Sequence, residues 1–382
     1  MTYSDSSVLS SNLQKQSLAS IKSLQTYIRK NRLDAFFLAD ISNVRYLTTF
    51  SGTAGFCLVF SDAAYFLTDF RYKGQAKEEV ISCKIEIFSG KLFDYLGRNF
   101  FRTRARKQFS VGIEDTLSID AHSKLSEVLQ NCRLVKTSGV VEKLASVKSE
   151  PEVERIKNAC SVSGTALDLL VQENWLGKRE KDLSATLEFN QKILGASKES
   201  FDTIVAGGPR GALPHGVASD RGIEDNEFVT IDFGCVYDGY SSDITRTFQT
   251  GSRINAKLEK IFQVVYDAQR KGIDAAHPGT AARKVDKAAR DYIEKKGYGK
   301  YFGHGLGHGI GLRVHELPRI SKISEDVLEV GNVITIEPGI YIPKLGGVRI
   351  EDDFLVTKDG LEQLSHFSKD RDYYLAHGSW MP

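Results

Sequence analysis

The stretch TIDFGCVYDGYSSDITRTF, residues 230–248, decides the fold of the second half of this chain. Runs of strand composition at 228–233 and 241–248 flank the pair Asp238-Gly239. Such a pair between apolar runs signals a hairpin, because both central positions of the favoured turn take positive φ. Each run carries an acid: Asp232 ends FVTID and Asp243 opens DITRTF. A carboxylate in a buried strand is costly unless it is paired or binds a metal. The turn is expected to bring these two acids, eleven residues apart, opposite one another.

On either side of this stretch apolar periodicity predicts helices at 151–172, 180–194, 255–271 and 280–296, the last stopped by Gly297. Further strands are expected at 201–206, 333–337 and 348–356. Helix pairs separated by hairpins make an α+β domain. Its first helix opens at Ser149-Glu150-Pro151-Glu152, where Ser149 and Glu152 form a capping box and Pro151 suits the first turn. The domain boundary is placed just before it, giving residues 1–148 and 149–382.

The first part reads differently. Leu13, Leu18, Ile21, Leu24 and Ile28 set a helical period over 13–31, while the Ser-rich residues 1–12 are expected to fray. Strand-like runs at 35–39, 55–60, 65–68, 83–88, 109–113 and 134–136 alternate with helical ones near 71–80, 91–100 and 118–130. Alternation of this kind builds an α/β domain on a largely parallel or mixed sheet.

Composition excludes several classes. With 41% hydrophobic and 26% charged residues the chain is globular rather than disordered. Its 51 basic and 49 acidic residues leave a net charge of +2, so nothing draws it to nucleic acid or to an anionic membrane. No apolar run approaches the ~20 residues that span a bilayer. The start has no basic region followed by an apolar core, and the five cysteines form no C-x-x-C pair. Free thiols without a leader predict a cytoplasmic protein. P-loop, H-E-x-x-H, G-x-S-x-G and dinucleotide fingerprints are absent.

Chemistry concentrates in FGHGLGHGIGLRVHE, residues 302–316, which holds three of the eight histidines: His304, His308 and His315. Glycine at every second position from 303 to 311 rules out a helix, at about 1 kcal/mol each. In an extended segment it leaves one face bare, open to close approach by a backbone or ligand. Two more acids, Glu337 at the end of VITIE and Glu351 after VRI, sit in apolar strand patterns. Four carboxylates with His308 suit hard or borderline divalent ions, and their charge balances two of them, as a site holding a bridging hydroxide requires.

Residues 230–248 and 302–316, with ITIEPGIY (334–341) and GVRIED (347–352), resemble the metal-dependent pita-bread peptidases: aminopeptidase P, prolidase and methionine aminopeptidase. The resemblance implies the five metal ligands Asp232, Asp243, His308, Glu337 and Glu351, in that order. NVRYLTTFSGTAGFCLVF (43–60) and LTDFRYKGQA (67–76) are similar to the creatinase/prolidase-type N-terminal domain, which methionine aminopeptidases lack. The likeness covers roughly residues 15–368; LASVKSEPEVERI (144–156) departs slightly from the family's linker, and the last dozen residues have no counterpart.

The expected activity is hydrolysis of Xaa-Pro bonds by two divalent ions, manganese first, with cobalt, zinc or iron as alternatives. Aminopeptidase P is preferred over prolidase, and a non-catalytic peptide-binding protein or a creatinase-like hydrolase is the remote reading. Glu337 is the expected proton carrier. His215, in GALPHG, and His315 match non-ligand histidines that stabilise the oxyanion or hold substrate. His304 matches a further catalytic histidine, Arg349 is a candidate to bind a substrate carboxylate or to hold the ligand network, and Tyr341 and Arg319 are candidates for the substrate pocket. Thr245 and Thr335 flank ligands and are candidates to hydrogen-bond them. The resemblance also implies a homodimer acting on proline-containing peptides, with the N-terminal domain as a lid or dimerisation element.

Overall fold

The computed structural model describes residues 3–102, 109–129 and 132–377, with side chains from Lys15 onward. Two compact units divide the chain, Met1–Ala145 and Ser146–Pro382. None of the described helices is long and apolar enough to cross a membrane.

The described residues of the first unit build a six-stranded sheet in the order Lys84–Ile87, Ala64–Thr68, Phe56–Phe60, Ala35–Leu38, Phe109–Glu114, Cys132–Thr137. The sheet is mixed: Ala35–Leu38 runs antiparallel to Phe56–Phe60 and parallel to Phe109–Glu114. Every residue of Ala35–Leu38 is buried. The reason is cover on both faces, which makes a central strand read as continuously apolar. Phe36 and Leu38 pack with Ile21, Leu24 and Ile28 of the first helix, whereas Ala35 and Phe37 pack with Leu96, Phe101 and Leu125. That first helix spans Tyr3–Lys30, so the expected fraying of 1–12 gives way to helix from Tyr3. A helix at Ile41–Thr48 was not anticipated; Asp40 caps it by accepting from the Ser42 and Asn43 amides.

The second unit sets two helix pairs, Glu150–Val171 with Glu180–Ile193 and Ala256–Ala275 with Ala282–Lys295, against antiparallel strands. Glu152 reaches back to accept from the Ser149 amide, as its place in a capping box requires, and accepts from the Ser149 hydroxyl as well. The first pair shares a core with Phe228–Phe233 and Ile244–Gln249, through Leu167, Leu170, Leu187, Ile231 and Phe248. A second core joins Ile261, Val265 and Ala289 to Ile334, Ile336 and Phe354. Asp238 and Gly239 take φ of 48° and 84°, making the anticipated turn between Cys235–Tyr237 and Tyr240–Ser241.

Two expected strands are each broken in the structure. The run 241–248 divides into Tyr240–Ser241 and Ile244–Gln249, and the run 348–356 into Gly346–Arg349 and Asp352–Thr357. The latter halves pair with different partners, Gly339–Ile342 and Val333–Ile336. Asp243 lies in the first gap and Glu351 in the second. Hydrophobic patterning reads through such gaps because residues on both sides are buried. The short strands Glu316–Ile320, Gly339–Ile342 and Gly360–Gln363 were also missed.

The bare face of the glycine-rich segment is filled by backbone. Gly307–Gly309 lies between Glu316–Ile320 and Val333–Ile336. A Cβ on Gly307 would overlap the Thr335 carbonyl, and one on Gly309 the Leu317 carbonyl. Gly307→Ala is therefore expected to destabilise the second unit by about 1–3 kcal/mol, the usual cost of overpacking. A urea midpoint equal to the parent's would show that the strands have room to separate.

Candidate metal centre and active-site cleft

All five expected ligands line one cleft of about 700 Å³ in the second unit. They lie at strand ends: Asp232 in Phe228–Phe233, Asp243 just before Ile244–Gln249, Glu337 just after Val333–Ile336, and Glu351 between two strands. His308 is central in Gly307–Gly309. Ligand atoms of Asp243, His308 and Glu351 lie within 4.8 Å of one another.

Hydrogen bonding shows what these groups lack. His308 Nδ1 is 3.1 Å from the Gly309 carbonyl, so the proton is assigned there. Its Nε2 then turns a lone pair towards Glu337 Oε1 at 3.5 Å and Asp243 Oδ2 at 3.6 Å. Acceptors face acceptors, and no side-chain donor stands between them among the described residues. Asp232 Oδ1 and Glu351 Oε1 are buried with no partner among the described residues. Their other oxygens are held: Asp232 Oδ2 accepts from Arg349 Nη2 at 2.5 Å, and Glu351 Oε2 from Thr245 Oγ1 at 2.7 Å. Each carboxylate thus has one oxygen fixed and one spare, which fits a divalent cation with oxygen and imidazole ligands.

Electrostatics agrees. Burial, then the charges of Glu351 and Asp232, push Asp243 well above the ordinary carboxylate range. Burial raises Glu351 likewise, followed by Glu337 and Asp232. Glu337 is pushed up to about 8 by burial, against the pull of Arg349. His308 is lowered to about 3 by burial and then by His315, leaving it neutral, the form that binds metals.

The remaining predicted residues divide into two groups. His215 and His315 line the cleft, and the His315 ring stands edge-on to His308 with centroids 4.3 Å apart. His304, Tyr341 and Arg349 line the same cleft but are tied to protein. His304 Nδ1 meets the Gly305 carbonyl at 2.8 Å and Nε2 meets Tyr341 Oη at 2.9 Å. Arg349 donates to Tyr341 Oη, Thr245 Oγ1, the Pro214 carbonyl and Asp232. Of its two anticipated tasks, holding the ligand network accounts for the bonds to Asp232 and Thr245. Thr245 relays between Arg349 and Glu351, while Thr335 Oγ1 accepts from the His308 amide at 3.2 Å. Arg319 stands opposite His308 in strand register and lines the cleft, exposed.

Sequence reasoning missed a buried layer behind the ligands. Asp352 and Asp353 are both 0% exposed and Arg246 is 1% exposed. Asp353 Oδ2 accepts from the Asp243 amide at 3.0 Å and from Cys160 Sγ. The signal was present: charged residues inside ITRTF and EDDF break apolar strand patterns as the expected ligands do.

Comparison with known proteins follows the same division of the chain. The model of metallopeptidase family M24 matches residues 154–358, and that of the creatinase/prolidase N-terminal domain matches 21–147. The chain is 42% identical over 350 residues to a Pyrococcus furiosus protein named Xaa-Pro dipeptidase, covering 90% of this chain and 97% of that one. It is similar to the solved Xaa-Pro dipeptidase from Bacillus anthracis, at 40% identity and a TM-score of 0.89, over 93% of this chain and 99% of that one. The X-Pro aminopeptidase from Thermotoga maritima matches at 33% identity with a TM-score of 0.82, over 90% and 99%.

An ion that relieves facing acceptors must stabilise the fold. Mn²⁺ added to chelator-treated protein at a hundredfold excess over its Kd should raise the unfolding free energy by about 2.7 kcal/mol. His308→Ala should lose most of that rise. An undiminished rise in the variant would remove His308 from the ligand set.

Proposed function

The chain belongs to metallopeptidase family M24, with a creatinase-type N-terminal domain ahead of the pita-bread catalytic domain, and from that premise we propose that it hydrolyses Xaa-Pro dipeptides to a free amino acid and proline. The carrying observation is Arg319. A dipeptide ends in a carboxylate one residue beyond the scissile bond. Arg319 offers the cleft a guanidinium with no carboxylate partner among the described residues, since only its backbone amide is bonded, to Asp326. Arg349 has no such freedom. The names of the more similar relatives support the same choice, so the aminopeptidase P reading, preferred on sequence, becomes the second one.

The substrate bond is a tertiary amide without an N–H, and the proline ring fixes its φ. Recognition therefore falls on the ring and the two chain termini. Asp232, Asp243, His308, Glu337 and Glu351 would hold two divalent ions, manganese first, with cobalt, zinc or iron accepted by the same donors. When bound, these ions supply Lewis acidity, polarising the substrate carbonyl and making water a stronger nucleophile at neutral pH.

The chain's own groups do the rest. Glu337, open to the cleft, takes the proton of the attacking water and delivers it to the proline nitrogen as the C–N bond breaks and the C–O bond forms. His215 and His315 face the cleft and steady the carbonyl oxygen as it gains charge. His304 serves at one remove: both its nitrogens are engaged by protein, and it holds Tyr341, which receives Arg349.

Metal-stripped protein reloaded with Mn²⁺, Co²⁺ or Zn²⁺ should cleave an Xaa-Pro dipeptide and leave Xaa-Pro-Yaa and Xaa-Ala-Yaa intact. Arg319→Ala should lower kcat/KM for the dipeptide by about ten- to a hundredfold, the value of one charge-assisted hydrogen bond, mainly through KM. Cleavage of the tripeptide before proline would restore the aminopeptidase reading. No cleavage with any metal would leave a peptide-binding protein.

A further inference from the structure

Glu351 sits at a weak point of the backbone. The strands on either side of it, Gly346–Arg349 and Asp352–Thr357, pair with different partners, so no continuous ladder runs past it. A single bridge to Thr245 holds it there, with the Glu351 amide donating to the Thr245 carbonyl at 3.1 Å. A ligand whose spare oxygen must meet an ion needs a firmer backbone than one bridge gives.

The next residue provides it. The Asp352 carboxylate is 0% exposed and is held by four hydrogen bonds and an ion pair with Lys369. Oδ1 receives Arg246 Nη2 at 2.6 Å, Ser365 Oγ at 2.9 Å and Gln363 Nε2 at 3.1 Å. Oδ2 receives Lys369 Nζ at 2.6 Å and Gln269 Nε2 at 2.9 Å. Two of these donors also reach the backbone beside expected ligands. Arg246 Nη1 donates to the Glu351 carbonyl at 2.6 Å, and Gln269 Nε2 to the Ile336 carbonyl at 3.1 Å, one residue before Glu337. Asp352 is thus the knot through which two ligand-bearing segments are tied together.

Lys369 arrives from the C-terminal strap, residues 364–377, which lies beyond the span matched by the family model. The strap is fastened along its length. Arg246 donates to the Phe367 and Ser368 carbonyls, Gln249 to the Arg371 carbonyl, and the Trp175 amide to Tyr374 Oη. Tyr374 is fully buried and stacks on Trp175 with centroids 4.0 Å apart. Arg246 and Lys369 together place two cations on one carboxylate, and Lys369 also donates to Gln269 Oε1 at 3.0 Å, steering that amide towards Ile336.

We propose that Lys369 is a positioning residue of the metal centre, by which the C-terminal strap fixes Glu351 and Glu337 through Asp352 and Gln269. The proposal rests on the metal reading of the cleft. Without Lys369 the Gln269 amide loses its orienting cation, and of the two cations on Asp352 Arg246 is left. The Glu351 and Ile336 backbone then moves more freely, and the geometry demanded by an ion is lost before the fold is.

The test uses the full chain, stripped of metal and titrated with Mn²⁺ alone, free ion being read from its electron paramagnetic resonance signal. Lys369→Met should weaken Mn²⁺ binding about ten- to a hundredfold, the range over which partners behind metal ligands tune affinity, and Lys369→Arg should restore most of it. Lys369→Gln keeps a donor without the charge and should fall between them, and it serves if the methionine variant does not fold. Unfolding midpoints of the metal-free proteins are measured alongside. A merely structural lysine would lower the midpoint and leave the affinity of the folded protein unchanged, and that result overturns the proposal. Parent protein that binds no Mn²⁺ overturns the metal reading, and this proposal with it.

Discussion

Four carboxylates and an imidazole turned towards one another in one cleft are the constraint the second unit is built around. Two like charges 4 Å apart repel by about 4 kcal/mol at an effective dielectric constant of 20. The upward shifts of Asp243, Glu337 and Glu351 express that repulsion together with burial. Arg349 offsets part of it at Asp232. The chain must hold the rest in place by backbone and packing, and it regains the cost when a cation enters.

That requirement explains features that look irregular in isolation. Asp243 and Glu351 occupy gaps between strands, where a backbone freed from one ladder can turn its side chain into the cleft. Each gap is then tied down by a buried side chain that is not itself an expected ligand. Asp353 accepts from the Asp243 amide, and Arg246 donates to the Glu351 carbonyl. The alternating glycines serve the same end from the other side. They let Gly307–Gly309 lie against the Thr335 and Leu317 carbonyls, which carries His308 in among the acids.

Much of this was legible in the residues. The hairpin at Asp238-Gly239 and the strand Phe228–Phe233 follow from turn chemistry and alternation, and the acids stood out against their apolar strands. The breaks beside Asp243 and Glu351 did not show, because pairing partners far away in sequence decide where a ladder stops. Helix Ile41–Thr48 was hidden by its β-branched content and is made by the Asp40 cap and tertiary packing. Arg246 and Asp352 were overlooked for a different reason. Both interrupt apolar strands as the expected ligands do, but only the fold shows that they neutralise one another, buried together at 2.6 Å.

The order of the parts along the chain carries a last consequence. The expected ligands span residues 232 to 351, and none lies within six residues of another, so no local segment can hold an ion alone. Cation affinity is therefore a property of the folded unit, and ion binding is coupled to folding of all the strands that present the ligands. The strap that ties Asp352 to Lys369 comes after the last of them. A chain folding from its N-terminal end assembles the acids first and the knot behind them afterwards. Until Ser365 and Lys369 arrive, Asp352 is a buried carboxylate lacking two of its five partners, next to a cluster already short of positive charge. Burial of an underpaired carboxylate is unfavourable, so the strap's docking and the closing of the ligand set favour one another. The terminal segment and the metal centre are on this argument one cooperative element.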